Sequence, residues 1–360
     1  MRISVVHPCD LGESEIAIWR ELQDAHPALD NPFLSPEFII EVGRLRPQAR
    51  VAVISDATGI LGFFPFERHP FGIGMPIAAG LTDAQGLVHC KDAEFDPHTL
   101  IRACGLAVFE FDHLLASQPL ALERHARYPS PIIDLSDGYT AYIETIKETS
   151  GKTYRSTTYK SRKLQRDVGP LRHEYGLRDR ASLHTLLGWK TEQYRRTGRS
   201  DRFAKPWIVR LVENLLEVNT EHFAGVLDMI YVDDRPIAGH FGLRTKTTLV
   251  GWFPAYDTAF SKYSPGLIHH LAMVGRAAEA GIQVIDLGRG QKEYKEKLKN
   301  GEHMVIEGRI ARPSAGAGVH WLSRVPARKA RATVLAHPLL RRTADRALKT
   351  YGRFRTTIAS

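Results

Sequence analysis

The residues whose types could do chemistry gather in the second half of the chain. The stretch 286-DLGRGQKEYKEKL-298 follows an apolar run, 282-IQVI-285, that predicts a strand. An acid at a strand end, then glycines, then a charged segment suits a turn that faces a substrate. Asp286 could orient or deprotonate an acceptor amine or hydroxyl, or simply cap the turn behind it. Gly288 and Gly290 permit close backbone approach. Tyr294 and Lys295 follow on a short helix. A lysine there can offset negative charge developing on a carbonyl, though 291-QKEYKEK-297 also reads as a solvated charged face. His240 lies within the predicted strand 236-PIAGHFGLRT-245, and a near-neutral imidazole suits general-base work. Asp257 follows the next strand, 247-TTLVGWFPAY-256, where it could fix the His240 tautomer, bind an acceptor or cap a turn. Lys190 and Tyr194, four residues apart, share a helical face that could reach a substrate or pack into the core. The run 160-KSRKLQR-166 is a candidate for donor phosphates or a plain basic surface.

Several chemistries lack their signatures. GRG in the opening stretch is neither GxGxxG nor GxxxxGK[ST]. No GxSxG elbow is present. HExxH and paired cysteines are absent, and His269 and His270 point in different directions on a helix, so the sequence supports no metal site. Cys9, Cys90 and Cys104 are too widely spaced for a disulfide framework, which fits a reducing compartment. The first residues contain no long apolar region, and the expectation is a soluble, cytoplasmic protein.

The elements that must hold these residues follow an α/β pattern. In residues 1–130 a helix is expected over 13–27, strands over 50–56 and 60–69, a helix over 97–107 and a strand over 108–114. A second unit begins at 131-PIIDLSDG-138. It holds helices at 138–146, about 156–168, within 181–198 and about 206–218. Strands follow at 225–234, 236–245 and 247–256, then a loop and helix over 261–281, then the strand 282–288. The boundary is expected between 125 and 137. The net charge of +9 is uneven. Residues 309–360 hold 12 Lys or Arg against Asp345, hence +11, so the preceding 308 residues sum to −2. The basic character belongs to the tail, 311–360, where 338-PLLRRTADRALKTY-351 predicts a basic amphipathic helix. Such a helix fits an anionic membrane surface or a protein surface. No aromatic platform accompanies the charge, so nucleic acid is not expected there.

The motifs 31-NPFLSPEF-38, 159-YKSRKLQRDVG-169, 188-GWKTEQYRRTG-198, 238-AGHFGLR-244, 252-WFPAYD-257, 263-YSPG-266 and 286-DLGRGQKEYKEKL-298, in this order, resemble the GNAT-superfamily acyltransferases of the branch associated with cellulose and exopolysaccharide biosynthesis. That group is related to N-acyl amino acid synthases and peptidoglycan-bridge aminoacyltransferases. The resemblance covers about residues 1–310. It implies tandem GNAT-like domains with mixed, splayed central sheets, the N-terminal one at 1–130 and the one with the main site at 131–310. It also implies transfer from an acyl-CoA or acyl carrier protein co-substrate, with no bound cofactor. Tyr263, Ser264, Gly266 and Leu267 would meet the donor at a helix N-terminus. Lys190, Tyr194, Tyr256, Gly288 and Tyr294 would meet the acceptor, and Asp286, His240, Asp257 and Lys295 would act on the reacting groups. YSPG has one glycine and a proline where the usual pyrophosphate loop has more glycines, which leaves room for a carrier protein or a polyprenyl-linked partner. The implied acceptor is a glycan, a lipid-linked sugar or an amino compound, met at the inner face of the membrane. Two other readings stand beside this one. One is an aminoacyl-tRNA-dependent transferase, although no heptad-rich arm is present. The other is a non-catalytic scaffold in a polysaccharide synthesis assembly.

Overall fold

The computed structural model describes residues 1–313 except 124 and 291, together with 318. The strands are β1 (Arg2–Val6), β2 (Ala49–Ser55), β3 (Ile60–His69), β4 (Ile73–Met75), β5 (Val88–His89), β6 (Val108–Leu115), β7 (Ala126–Asp134), β8 (Leu171–Leu177), β9 (Ala224–Val232), β10 (Arg235–Arg244), β11 (Thr248–Tyr256), β12 (Val284–Asp286) and β13 (Gly301–Ala311). The helices are α1 (Glu13–Asp24), α2 (Pro36–Leu45), α3 (Pro97–Ala103), α4 (Gly138–Asp167), α5 (Arg180–Arg196), α6 (Pro206–Glu217), α7 (Pro265–Glu279) and α8 (Glu293–Leu298).

Local sequence explains most helix starts. Proline occupies the first turn of α2, α3, α6 and α7, where its missing N–H costs no intrahelical bond. Asp96 caps α3 by accepting from Thr99 N–H at 2.7 Å, and Asp179 caps α5 by accepting from Ser182 N–H at 2.8 Å.

The strands form one open, mixed sheet in the order β1-β2-β3-β4-β6-β13-β7-β12-β11-β10-β9-β8, with β5 on the side of β3. The expected boundary at 125–137 therefore runs through a strand. β7 pairs with β12 on one side and β13 on the other. Its two prolines, Pro129 and Pro131, suggest a boundary there, because proline is unusual in a central strand. β13 crosses back to pair with β6, so the last described strand sits between the early and late parts of the chain. One apolar core also spans them, joining Trp19, Phe33, Phe38 and Phe63 to Leu186, Leu211, Phe241 and Trp252. The helices expected at 138–146 and 156–168 are one element, α4, interrupted by non-helical geometry at Ser150. The strand expected over 282–288 is only three residues long. The tail helix expected at 338–351 lies outside the described residues.

The feature that makes a site is a failure of pairing. β11 and β12 run parallel and bond only where Thr248–Val250 face Val284–Asp286. Beyond that point β11 continues to Tyr256 while β12 stops. A bulge at the same place shifts the β10–β11 register between Phe241 and Leu243. The Trp252 N–H turns there to donate to His240 Nε2 at 3.1 Å. β11 thus leaves β12 with unpaired backbone edge facing a gap.

The packing of β9 on α6 supports this half of the sheet. A Cβ at Gly225 would lie 2.2 Å from the Leu215 carbonyl oxygen. Gly225→Ala is expected to destabilise the fold by about 1–3 kcal/mol through overpacking, read as a lower urea midpoint. An unchanged midpoint would show that the end of α6 yields freely.

Candidate active site

Two adjoining cavities open from the gap. The smaller, about 240 Å³, is lined by Ser264, Gly266, Leu267, Tyr256, His269 and His270 among others. The larger, about 820 Å³, is lined on one side by Ala79, Gly80, Leu81 and Asp83 from the early part of the chain. Its other side carries Tyr194, Arg199, Arg202, Lys205, Trp252, Leu287 and Lys295. Lys190, Gln193, Pro254, Lys292 and Tyr294 line both cavities and mark their junction.

The smaller cavity begins at the first turn of α7. Ser264 adopts a left-handed conformation, φ 56°, that turns the chain into the helix. Its Oγ accepts from Lys160 Nζ at 2.8 Å, so one lysine of the 160–166 run does reach this end. The backbone offers an anion little. Pro265 has no N–H, and the Leu267 and Ile268 N–H groups return to the Ser264 carbonyl. Tyr263 is buried, and its hydroxyl donates to Asp167 Oδ2 at 3.3 Å, away from the cavity.

Lys190 stands at the junction, 5% exposed, on α5. Its Nζ donates to the Pro254 carbonyl on the free edge of β11 at 2.8 Å. Burial, then the cations Lys292, Arg199, Arg202 and Lys295, pull its ammonium down to about 7. Lys295 is buried and anchored, donating to the Gly288 carbonyl at 2.7 Å. Tyr294 stacks on His270 with ring centroids 5.2 Å apart, and burial pushes its hydroxyl up to about 12. Gly288 has φ 72°, and a Cβ there would lie 2.6 Å from Asp83 Oδ2. Glycine is needed at this turn both for its backbone and for the approach of Asp83. Burial pushes the Asp83 carboxyl up, and Asp286 adds to this against the pull of His113, Lys295 and Arg202.

Three of the residues expected to act on reacting groups are turned elsewhere. Asp286 is buried, and its Oδ1 accepts from Gly288 N–H at 2.8 Å and Ser130 Oγ at 3.4 Å. Its Oδ2 faces Asn31 Nδ2 and His303 Nε2, each at 3.5 Å. The carboxylate thus braces the turn that carries Gly288, and Asp83 is the acid that lines the cleft. His240 spends its Nε2 lone pair on Trp252 N–H, and burial, then His269, draw it down to about 3. Asp257 does not reach His240. It caps the following turn through Ala259 N–H at 2.9 Å and pairs with Arg235 at 2.7 Å.

Sequence reasoning missed Asp83, Arg199, Arg202, Lys205 and Lys292. Asp83 lies far ahead of Gly288 in the chain and in no motif of its own, and only the fold brings the two together. Arg199 and Arg202 closely follow the motif 188-GWKTEQYRRTG-198, whose position beside Lys190 was the available signal.

Residues 151–296 match the family model described as an acetyltransferase (GNAT) domain. No curated protein matches the sequence. Among solved structures, the chain is similar to FemX at 11% identity and a TM-score of 0.59, over 90% of this chain and 100% of that one. A conserved protein of unknown function from Bacteroides thetaiotaomicron VPI-5482 aligns at 12% identity and a TM-score of 0.54, over 85% and 100%. The C-terminal domain of a proposed lysylphosphatidylglycerol synthetase from Agrobacterium fabrum aligns at 12% identity and a TM-score of 0.50, over 86% and 96%. At these identities the likeness is one of fold. The chain shares its α/β fold with these structures, its sheet is mixed and unclosed, and residues 151–296 carry the match to the GNAT domain.

Asp286→Asn tests the bracing role. Losing a buried carboxylate that accepts hydrogen bonds from Gly288, Ser130 and Asn31 is expected to cost about 1–3 kcal/mol of stability, read by urea denaturation. Unchanged stability would return Asp286 to the list of groups acting on substrate.

Proposed function

We propose that the chain is an acyltransferase that moves an acyl group from a carrier-bound donor to an amine or hydroxyl. The observation that carries this reading is the gap between β11 and β12, flanked by two cavities that meet at Lys190. The donor enters by the smaller cavity and presents its carbonyl to the free edge of β11. The acceptor lies in the larger cavity, where its nucleophile attacks that carbonyl directly. A new C–N or C–O bond forms, the bond to the carrier breaks, and the acceptor's proton ends on the departing carrier group. Lys190, whose ammonium burial and neighbouring cations pull down to about 7, is the group placed to take that proton first. Lys295 and Lys292 face the negative charge that develops. Asp286 positions the turn that holds Lys295.

The motif resemblance implies a CoA or carrier-protein thioester as donor. A second reading, an aminoacyl ester carried on tRNA, has two observations in its favour. The first turn of α7 offers few N–H groups to a pyrophosphate. The larger cavity sets Lys190, Arg199, Arg202, Lys205, Lys292 and Lys295 against Asp83 alone among its charged lining residues, which suits a polyanion. On these two observations we favour this donor class. The acceptor belongs to polysaccharide or cell-envelope synthesis in either case. The parts of the chain before and after β7 share the continuous sheet, and the earlier part supplies the Asp83 wall. No helix among the described residues is long and apolar enough to cross a membrane. Contact with an anionic membrane surface or with another protein, through the basic tail, completes the proposal.

Thermal-shift screening with acetyl-CoA, long-chain acyl-CoA, loaded carrier protein and aminoacyl-tRNA tests the donor. Aminoacyl-tRNA is expected to raise the melting temperature. A shift with none of the four would favour a scaffold. With a productive donor in hand, kcat/KM is expected to rise with pH through about 7, as Lys190 becomes neutral. Lys190→Arg keeps the charge but cannot release a proton, so it should lower kcat by about 10²-fold or more and remove that limb. A variant with near-normal turnover and an unchanged profile would leave Lys190 with a binding role only.

A further inference from the structure

Beneath α7, three potential metal ligands meet that the proposed reaction does not use. They are His173 on β8, Asp228 on β9 and His269 on α7, with donor atoms all within 4.8 Å of one another. Asp228 is fully buried and His269 is 1% exposed. His173 Nε2 touches Asp228 Oδ1. His269 Nε2 lies 3.3 Å from Asp228 Oδ2, yet neither of these two atoms has a partner in hydrogen-bond geometry. The pair is a buried ion contact without hydrogen-bond geometry, and a cation bound beside it would take up both lone pairs.

The spacing suggests what that is. Zinc binds imidazole nitrogen and carboxylate oxygen at about 2.0–2.2 Å, and tetrahedral bonds of that length put ligand atoms about 3.3–3.5 Å apart. The Asp228–His269 separation falls at that value, whereas the direct His173–Asp228 hydrogen bond would have to open for both side chains to bind one ion. His173 lies on the edge strand of the sheet and is 16% exposed, which gives an ion a way in and leaves a fourth position for water.

We propose that His173, Asp228 and His269 form a binding site for a divalent transition metal, zinc by preference, that clasps β8 and β9 to α7. Two imidazoles and one carboxylate suit zinc and its neighbours rather than calcium or magnesium, which prefer oxygen ligands. Since α7 carries the wall of the smaller cavity, the ion would hold that wall in place. Binding displaces any proton shared within the cluster and needs no other reactant. The inference does not depend on the acyl-transfer reading.

The test uses the full chain purified without chelators. Elemental analysis is expected to find about one zinc per chain. Removing it with EDTA should lower the melting temperature, and added zinc should restore it. Cobalt substitution should give visible absorption bands of a four-coordinate site. Asp228→Asn should abolish these signals. His173→Ala, at the partly exposed edge, provides a folded variant if Asp228→Asn does not fold, and should at least weaken binding about tenfold. Metal below about 0.1 equivalents, with no melting shift on adding zinc, would overturn the site and leave a buried imidazole–carboxylate network. Full binding retained in His173→Ala would likewise overturn it.

Discussion

The cleft depends on one constraint, the end of hydrogen bonding between β11 and β12 after Val250 and Asp286. A parallel pair that kept bonding would leave no room for a donor, and the two cavities would close. The divergence is held from both sides. On the β10 side, the bulge turns the Trp252 N–H onto His240. On the β12 side, Asp286 bends the chain away by accepting from Gly288 N–H. Buried polar groups with fixed partners are expensive to rearrange, so the gap is a built feature of the fold.

The early part of the chain completes what the gap begins. Trp252 donates its indole N–H to the Leu81 carbonyl at 2.8 Å and packs edge-on against Phe33 at 5.4 Å. These contacts bring the 79–83 segment over the cleft, and Asp83 against Gly288. Asn214 on α6 donates to Glu41 on α2 at 3.1 Å, tying the helices across the same junction. The larger cavity therefore cannot form from residues 131–310 alone. Its cations crowd one another, which adds to burial in setting Lys190 so far below an ordinary lysine. Electrostatic strain of this kind is relieved when an anion binds.

Much of the second unit was legible in the sequence. Strands β9 and β11 are rich in β-branched, aliphatic and aromatic residues, β10 is set between clear turns, and α5 and α6 have a strong cap or a starting proline. Of the residues that the motifs single out, Lys190, Tyr194, Tyr256, Tyr294 and Lys295 line the cavities, and Gly288 lies behind Lys295. Long-range partners were not legible. β7 hid behind Pro129 and Pro131, and β13 gives no local sign that it pairs with β6 and β7. His240 and Asp257 looked like neighbours because they belong to adjacent strands. The pairing sets Ala238 opposite Tyr256, so Asp257 lies beyond the strand and meets Arg235 instead. Asp228 is an acid in an otherwise apolar strand, and only the pairing of β8 and the packing of α7 bring His173 and His269 to it.

The central claim is that the donor carbonyl sits where β11 leaves β12. A crystal structure of the protein with a non-hydrolysable analogue of the donor that stabilises it tests this most directly. The account predicts the carbonyl between the β11 edge beyond Val250 and Leu287, with Lys190 beside it and the carrier running past Ser264. Density for the analogue elsewhere on the protein, with the gap empty, would contradict it.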